Sequence, residues 1–138
     1  RTALPGLAHA MTPRKDPATV EEYRARESEP DFQSWVIARA EGLGWKVAHF
    51  ADSRKQVTNK AGESRMVGDK QAAGWPDLVM CRDGVLIFAE LKSEKGRLRG
   101  EQERWLYRLG QVANRAENVQ VYVWRPSQRP EIEEVLSR

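Results

Sequence analysis

The sequence contains one cysteine, Cys81, and two histidines, His9 and His49. A single cysteine excludes an intramolecular disulfide, so a reducing cytosol is the simplest setting. No Cys/His zinc set exists, and His9 and His49 have no metal-ligand spacing. No apolar run is long enough to span a membrane and no signal-peptide pattern is present, which argues for a cytoplasmic protein without a membrane partner. The chain also lacks a P-loop and a serine nucleophile elbow. Gly96 and Gly100 flank a basic turn but match no phosphate-binding fingerprint. Internal repeats and low-complexity segments are missing from the folded part.

The composition of the 138 residues is that of one ordinary domain. Hydrophobic residues make up 40%, enough for one core, and charged residues 31%. The net charge of +3 and the pI of about 9.2 permit nucleic acid as a partner without requiring it. The basic excess is uneven: between 92 and 99, Lys92, Lys95, Arg97 and Arg99 face only Glu94. Such a run reads equally well as a solvated face or a phosphate-binding one.

Residues 1–27 contain Pro5, Pro13 and Pro17 and no sustained apolar period. They are expected to form a mobile N-terminal arm with a short helical turn near Val20–Arg26. The chain begins with Arg1, and residues 1–10 read as an appended or trimmed extension. The folded domain is expected over 28–138. Its first helix starts at Ser28, which has capping-box spacing to Asp31, with Pro30 in the first turn. Phe32, Trp35, Val36, Ala40 and Leu43 follow the helical rhythm, and Gly42 and Gly44 end it. A strand is predicted at 45–51, then a long connection, 52–74, without helical or strand periodicity. A hairpin follows, Asp77–Arg82 and Val85–Lys92, around Asp83-Gly84, a dipeptide suited to a type I′ turn. A helix at Gly100–Ala113 (Trp105, Leu109, Val112 and Ala113 on one face), a strand at Val119–Trp124 and a helix at Pro130–Leu136 complete the chain. Cys81 is expected as a small buried thiol in a strand. The order αβββαβα predicts an α/β fold with a mixed four-stranded sheet flanked by helices.

The hairpin register brings chemistry together. If Asp83 and Gly84 are the two central turn residues, Asp77 lies opposite Glu90, with Cβ atoms roughly 4.5–5.5 Å apart. Two carboxylates that close repel unless a cation lies between them. Lys92, two residues beyond Glu90, points to the same face. Glu29 precedes Phe32 and Val36 by three and seven residues, and Gln102 precedes Trp105 and Leu109 likewise, so both are polar groups on apolar stripes that need a polar partner inside. Mg²⁺ suits this set, with Asp77, Glu90, Glu29 and the Leu91 carbonyl as ligands. Each element alone has a plainer explanation: Glu-x-Lys is common at strand ends, Asp follows Pro in many turns, and Glu29 suits a helix start. Their joint spacing favours a site. The tryptophans read as core, with Trp75 set apart as a candidate base-stacking residue.

Gly74-Trp75-Pro76-Asp77-Leu78, Ala89-Glu90-Leu91-Lys92 and Gln102-x-x-Trp105 together resemble the PD-(D/E)xK nuclease superfamily, and within it the VRR-NUC (virus-type replication-repair nuclease) branch. The resemblance covers about residues 28–137 and departs from the usual pattern where Gly100 replaces a frequent helix-starting Pro. It implies a restriction-endonuclease-like core and Mg²⁺- or Mn²⁺-dependent phosphodiester hydrolysis. Glu29, Asp77 and Glu90 would match the acidic metal-site positions, Lys92 the catalytic lysine and Gln102 the supporting glutamine. Stand-alone members of this family come largely from phages and bacteria, and some act as dimers on branched DNA such as Holliday junctions, which sets the expectation here of a homodimer acting on Holliday junctions or flaps, of a phage or bacterial origin and of a role in DNA repair. DNA contacts are expected from Lys95, Arg97 and Arg99 and, in the long connection, from Arg54, Lys55, Lys60, Arg65 and Lys70. The competing expectations are a catalytically silent nuclease-like module that only grips DNA or a protein, and a nuclease subunit that needs a partner protein.

Overall fold

A computed structural model describes residues 20, 26–50, 55–58, 60–67 and 72–138, with 55–58 and 64–67 described by their backbone only. Helix α1 spans Glu29–Gly42. Ser28 caps it: its Oγ accepts from the Asp31 amide at 3.3 Å and donates to Asp31 Oδ2 at 2.8 Å, satisfying one of the free N–H groups at the helix start. Gly44, with φ of +90°, turns the chain out of the helix. Strand β1 follows at Lys46–His49, shorter than the 45–51 expected.

The long connection is not without regular structure. It contains strands β2 (Lys55–Thr58) and β3 (Ser64–Val67), paired antiparallel as a separate two-stranded sheet. Four-residue strands with one or two apolar positions each carry too little alternation to be read in one dimension. Arg54 and Lys70, the expected helical turn near Val20–Arg26 and the bulk of the expected arm lie outside the described residues, as do the side chains of Lys55 and Arg65.

Strands β4 (Leu78–Arg82) and β5 (Val85–Leu91) form the expected hairpin, and Arg82 pairs with Val85. Asp83 and Gly84 both have positive φ, 49° and 81°, as a type I′ turn requires. Helix α2 (Gly100–Ala113), strand β6 (Val119–Trp124), a 3₁₀ turn (Pro126–Gln128) and helix α3 (Arg129–Ser137) complete the chain. The main sheet has the order β1-β4-β5-β6, with β5 and β6 parallel and the other pairs antiparallel. This is the expected α/β architecture, a mixed four-stranded sheet with helices, with the β2–β3 hairpin inserted.

The pleat sorts the sheet into two faces. Leu78, Met80, Ile87, Ala89 and Leu91 point one way and join Phe32, Val36 and Ala40 of α1 and Ile132 and Leu136 of α3 in the buried core. The intervening residues, among them Phe88 and Glu90, face the α2 side. There Trp75 meets Phe88 and Trp105 edge-to-face, with centroids 5.7 and 4.8 Å away. Two expectations about burial fail here. Cys81 is exposed, because its strand parity points it away from the core. Val112 is exposed too, since the covered stripe of α2 runs through Gln102, Trp105, Leu106, Leu109, Gly110 and Ala113 and leaves Val112 off it. At the hairpin end of the sheet, Arg82 donates to Leu43 O and Leu136 O at 2.9 and 2.8 Å and lies over the Trp45 ring. It thereby ties the C-terminal ends of α1 and α3 to the sheet.

Candidate active site

The opposite end of the sheet collects the polar residues singled out by their spacing. Asp77 and Glu90 stand one step beyond the last paired residues of the hairpin, Leu78 and Ala89, so they oppose each other on adjacent strands. Asp77 is held from both sides. Its Oδ2 accepts from the Leu91 amide at 2.8 Å, and its carbonyl accepts from the Phe50 amide at 2.9 Å. Glu90 is buried, with 1% of its surface exposed. Gln102, also buried, donates from Nε2 to Glu90 Oε1 at 2.8 Å, and its own Oε1 accepts from the Arg99 amide at 2.9 Å. The expectation that Gln102 would find a polar partner inside is met, and that partner is Glu90.

Lys92 completes the group. Its Nζ lies 3.9 Å from Glu90 Oε1 and 3.9 Å from Glu29 Oε1. Glu29 differs from expectation: its side chain is 48% exposed. The buried stripe of α1 faces the Leu78/Ala89 side of the sheet, while Glu29, in the first turn, reaches past the sheet end to Lys92. Among the described residues no three Asp, Glu, His or Cys side chains cluster as a metal site. The acidic centre is therefore the Asp77–Glu90 pair, with Glu29 joined to it through Lys92.

The electrostatics of the pair are those of two buried, opposed carboxyls. Glu90 Oε2 is buried with no N–H or O–H donor bonded to it, so the Glu90 and Asp77 carboxyls are paired only when they share a proton. Burial, then the charge of Asp77, push the Glu90 carboxyl up to about 8, against the pull of Lys92. Burial raises Asp77 as well, opposed by its bond from the Leu91 amide. Without a cation the pair retains a proton at neutral pH, as closely opposed carboxyls do. The donor set fits Mg²⁺ or Mn²⁺, which commonly take one or two carboxylates and keep several waters.

A stability signature follows. The Glu90 carboxyl binds its proton more tightly in the folded state than at its ordinary value of 4.5. The associated stability is complete below about pH 4.5 and is lost as the pH rises through about 8. At about 1.4 kcal/mol per pKa unit the loss amounts to a few kcal/mol. Urea unfolding in EDTA from pH 5 to 9 is expected to show this decline, and Mg²⁺ should reduce it by binding the deprotonated pair. A flat profile in EDTA would contradict the buried, proton-sharing pair.

Several contacts that shape the site are not legible in the sequence. Gly74 has φ of +82°, and a Cβ there would lie 2.3 Å from the Glu101 carbonyl carbon and 2.5 Å from the Gln102 amide nitrogen. The chain leading into Asp77 thus packs directly on the backbone at the start of α2. Arg125 donates to the carbonyls of Ser93, Glu94 and Gly96 at 2.7, 3.2 and 2.7 Å. Glu94 accepts from the Ser127 amide and hydroxyl at 3.1 and 2.6 Å. These contacts hold the segment carrying the exposed Lys95, Arg97 and Arg99 beside the site. Glu27, assigned by sequence to the arm, is ion-paired to Arg129, whose guanidinium lies over Trp35. Lys60 is exposed on the β2–β3 turn. Trp75 is not a free platform: Phe50, Phe88 and Trp105 surround its ring.

Among the described residues no helix is long and apolar enough to cross a membrane. No family model matches the chain, and no match is found among curated proteins. Among solved structures the chain is similar to one named "VRR_NUC domain", with 27% sequence identity, coverage of 77% of this chain and 94% of that chain, and a TM-score of 0.48. The chain is thus similar to a VRR-NUC domain, the family its own motifs resemble.

Proposed function

We propose that this protein is a metal-dependent nuclease that hydrolyses phosphodiester bonds in DNA. The observation that carries this reading is the buried Glu90 carboxyl set directly opposite Asp77, with the Lys92 ammonium beside it. A pure binding module has no use for two buried acids directly opposed.

Asp77 and Glu90, with the Leu91 carbonyl, would hold Mg²⁺ or Mn²⁺. Such an ion polarises a phosphoryl oxygen and lowers the pKa of a water. Asp77 is oriented by the Leu91 amide, and Glu90 by Gln102, so neither carboxylate needs to reorganise. Lys92, steadied between Glu90 and Glu29, orients the attacking water and offsets charge developing on the phosphate. Lys95, Arg97 and Arg99 supply phosphate contacts from the segment pinned by Arg125. Preference for branched DNA such as flaps or Holliday junctions, and a homodimeric form, are the finer parts of the proposal and follow the VRR-NUC resemblance.

The test is cleavage of labelled flap, fork and four-way DNAs with Mg²⁺, Mn²⁺ or EDTA. Cutting is expected with either metal and none with EDTA. Lys92→Ala is expected to lower the single-turnover rate by about 10²–10³-fold, the usual effect of losing one preorganised electrostatic group, with little change in DNA affinity. Binding that is indifferent to EDTA, with no cutting of any substrate, would instead support a silent binding module. Cutting that survives Lys92→Ala would remove Lys92 from the mechanism.

A further inference from the structure

Phe50 sits at the end of β1, where its amide donates to the Asp77 carbonyl at 2.9 Å. This bond extends the β1–β4 register by one step, since His49 pairs with Leu78. Phe50, Asp77 and Glu90 are therefore consecutive neighbours in one row across three strands. By strand alternation their side chains share a face, and directly opposed Cβ atoms in such a row are roughly 4.5–5.5 Å apart. An aromatic ring thus adjoins the acidic pair.

That ring is 46% exposed and belongs to no part of the buried core. It is nevertheless held in place. Trp75 contacts it edge-to-face at 6.2 Å with an interplanar angle of 80°, and Trp75 is in turn gripped by Phe88 and Trp105. An exposed phenylalanine beside two carboxyl groups gains little from water, while its ordering cost is already met by Trp75. A phosphodiester bound at Asp77 and Glu90 would carry its nucleoside within reach of this ring.

Resting on the nuclease reading above, we infer that Phe50 is a stacking surface for a nucleobase next to the scissile phosphate. Stacking of this kind needs a base whose face is open. It therefore selects an unpaired or frayed nucleotide at the cleavage position and contributes to substrate choice without reading sequence. The role anticipated for Trp75 passes to the residue that Trp75 supports.

The experiment uses the full chain carrying Glu90→Gln, expected to bind DNA without cutting it, and the same chain with Phe50→Leu added. Leucine keeps apolar bulk against Trp75 but removes the aromatic face. Affinity for a forked oligonucleotide is measured by fluorescence anisotropy in Mg²⁺, with single abasic sites scanned along the strand that is cut. Phe50→Leu is expected to weaken binding by about 5- to 150-fold, the usual range for one stacked base. An abasic site at one position, within a nucleotide of the cleaved bond, should weaken the Phe50 protein by a similar factor and leave the Phe50→Leu protein unaffected. Phe50→Trp should retain the abasic sensitivity. Losses that multiply at every position, or affinity within twofold after Phe50→Leu, would overturn the inference. Failure of the unsubstituted chain to cut any DNA with Mg²⁺ or Mn²⁺ would instead overturn the nuclease reading, and absence of all DNA binding would overturn both.

Discussion

Glu90→Gln is expected to abolish DNA cutting while making the metal-free protein more resistant to unfolding at high pH. The two effects share one cause. Glutamine preserves the acceptor that Gln102 Nε2 bonds at 2.8 Å, so the buried contact survives. It removes the ionisable oxygen that is buried with no N–H or O–H donor bonded to it and the proton held up to about pH 8. Loss of a carboxylate from the acidic pair should cost the several kcal/mol of transition-state stabilisation that a bound ion supplies, or roughly 10³-fold in rate. Stability should become nearly independent of pH between 5 and 9. The variant should match the unsubstituted chain near pH 5 and exceed it by a few kcal/mol at pH 9 in EDTA. Metal affinity of the unsubstituted chain should rise up to tenfold per pH unit below about 8, as binding displaces one proton. Single-turnover assays and urea midpoints across pH test both halves. Lost activity together with lost stability would mean that Glu90 is a structural acid, and the site would have to be reassigned.

Gly74→Ala is expected to be the most damaging single-methyl change outside the hydrophobic core. Two costs combine. The backbone there has φ of +82°, which charges a Cβ-bearing residue about 1–2 kcal/mol. The new Cβ would also lie 2.3 Å from the Glu101 carbonyl carbon and 2.5 Å from the Gln102 nitrogen, backbone atoms of a helix that cannot step aside alone. Relieving the overlap moves the start of α2 or the Trp75-Pro76-Asp77 segment, and either movement separates Gln102 from Glu90 or Asp77 from Leu91. We expect a loss of roughly 3 kcal/mol or more, a Tm lower by about 10 °C or more, and cutting impaired even below the new Tm. Gly84→Ala is the control. Its φ is similar at +81°, but a Cβ there meets nothing within 4 Å, so only the backbone cost should appear. Equal losses in the two variants would show that close packing of Gly74 on α2 contributes nothing.

These two residues mark the boundary between what is local and what is not. Glu90 was legible because strand alternation and a two-residue turn are arithmetic: Asp83-Gly84 fixes the hairpin register, and the register carries Asp77 to Glu90. Gly74 preceded a recognisable Trp-Pro-Asp, but that its missing Cβ makes room for a helix beginning at residue 100 is not a property of the neighbouring sequence. Gln102 lies between the two cases. Its place on an apolar stripe called for a buried polar partner, and only packing identified that partner as Glu90.

The chain by itself determined the αβββαβα order of the main sheet and its helices, both termini of α2 and of β6, the type I′ hairpin and the convergence of Asp77, Glu90, Lys92 and Gln102, because each follows from periodicities of 2 and 3.6 residues and from turn chemistry. Tertiary structure alone decided which face each helix covers. That choice left Glu29 half exposed beside Lys92, because α1 packs on the other side of the sheet from the acidic pair. It also enclosed Trp75 and exposed Phe50, paired β2 with β3, and tied Arg125 to the 93–96 carbonyls. All of these depend on contacts between elements distant in the chain, which no window of residues contains.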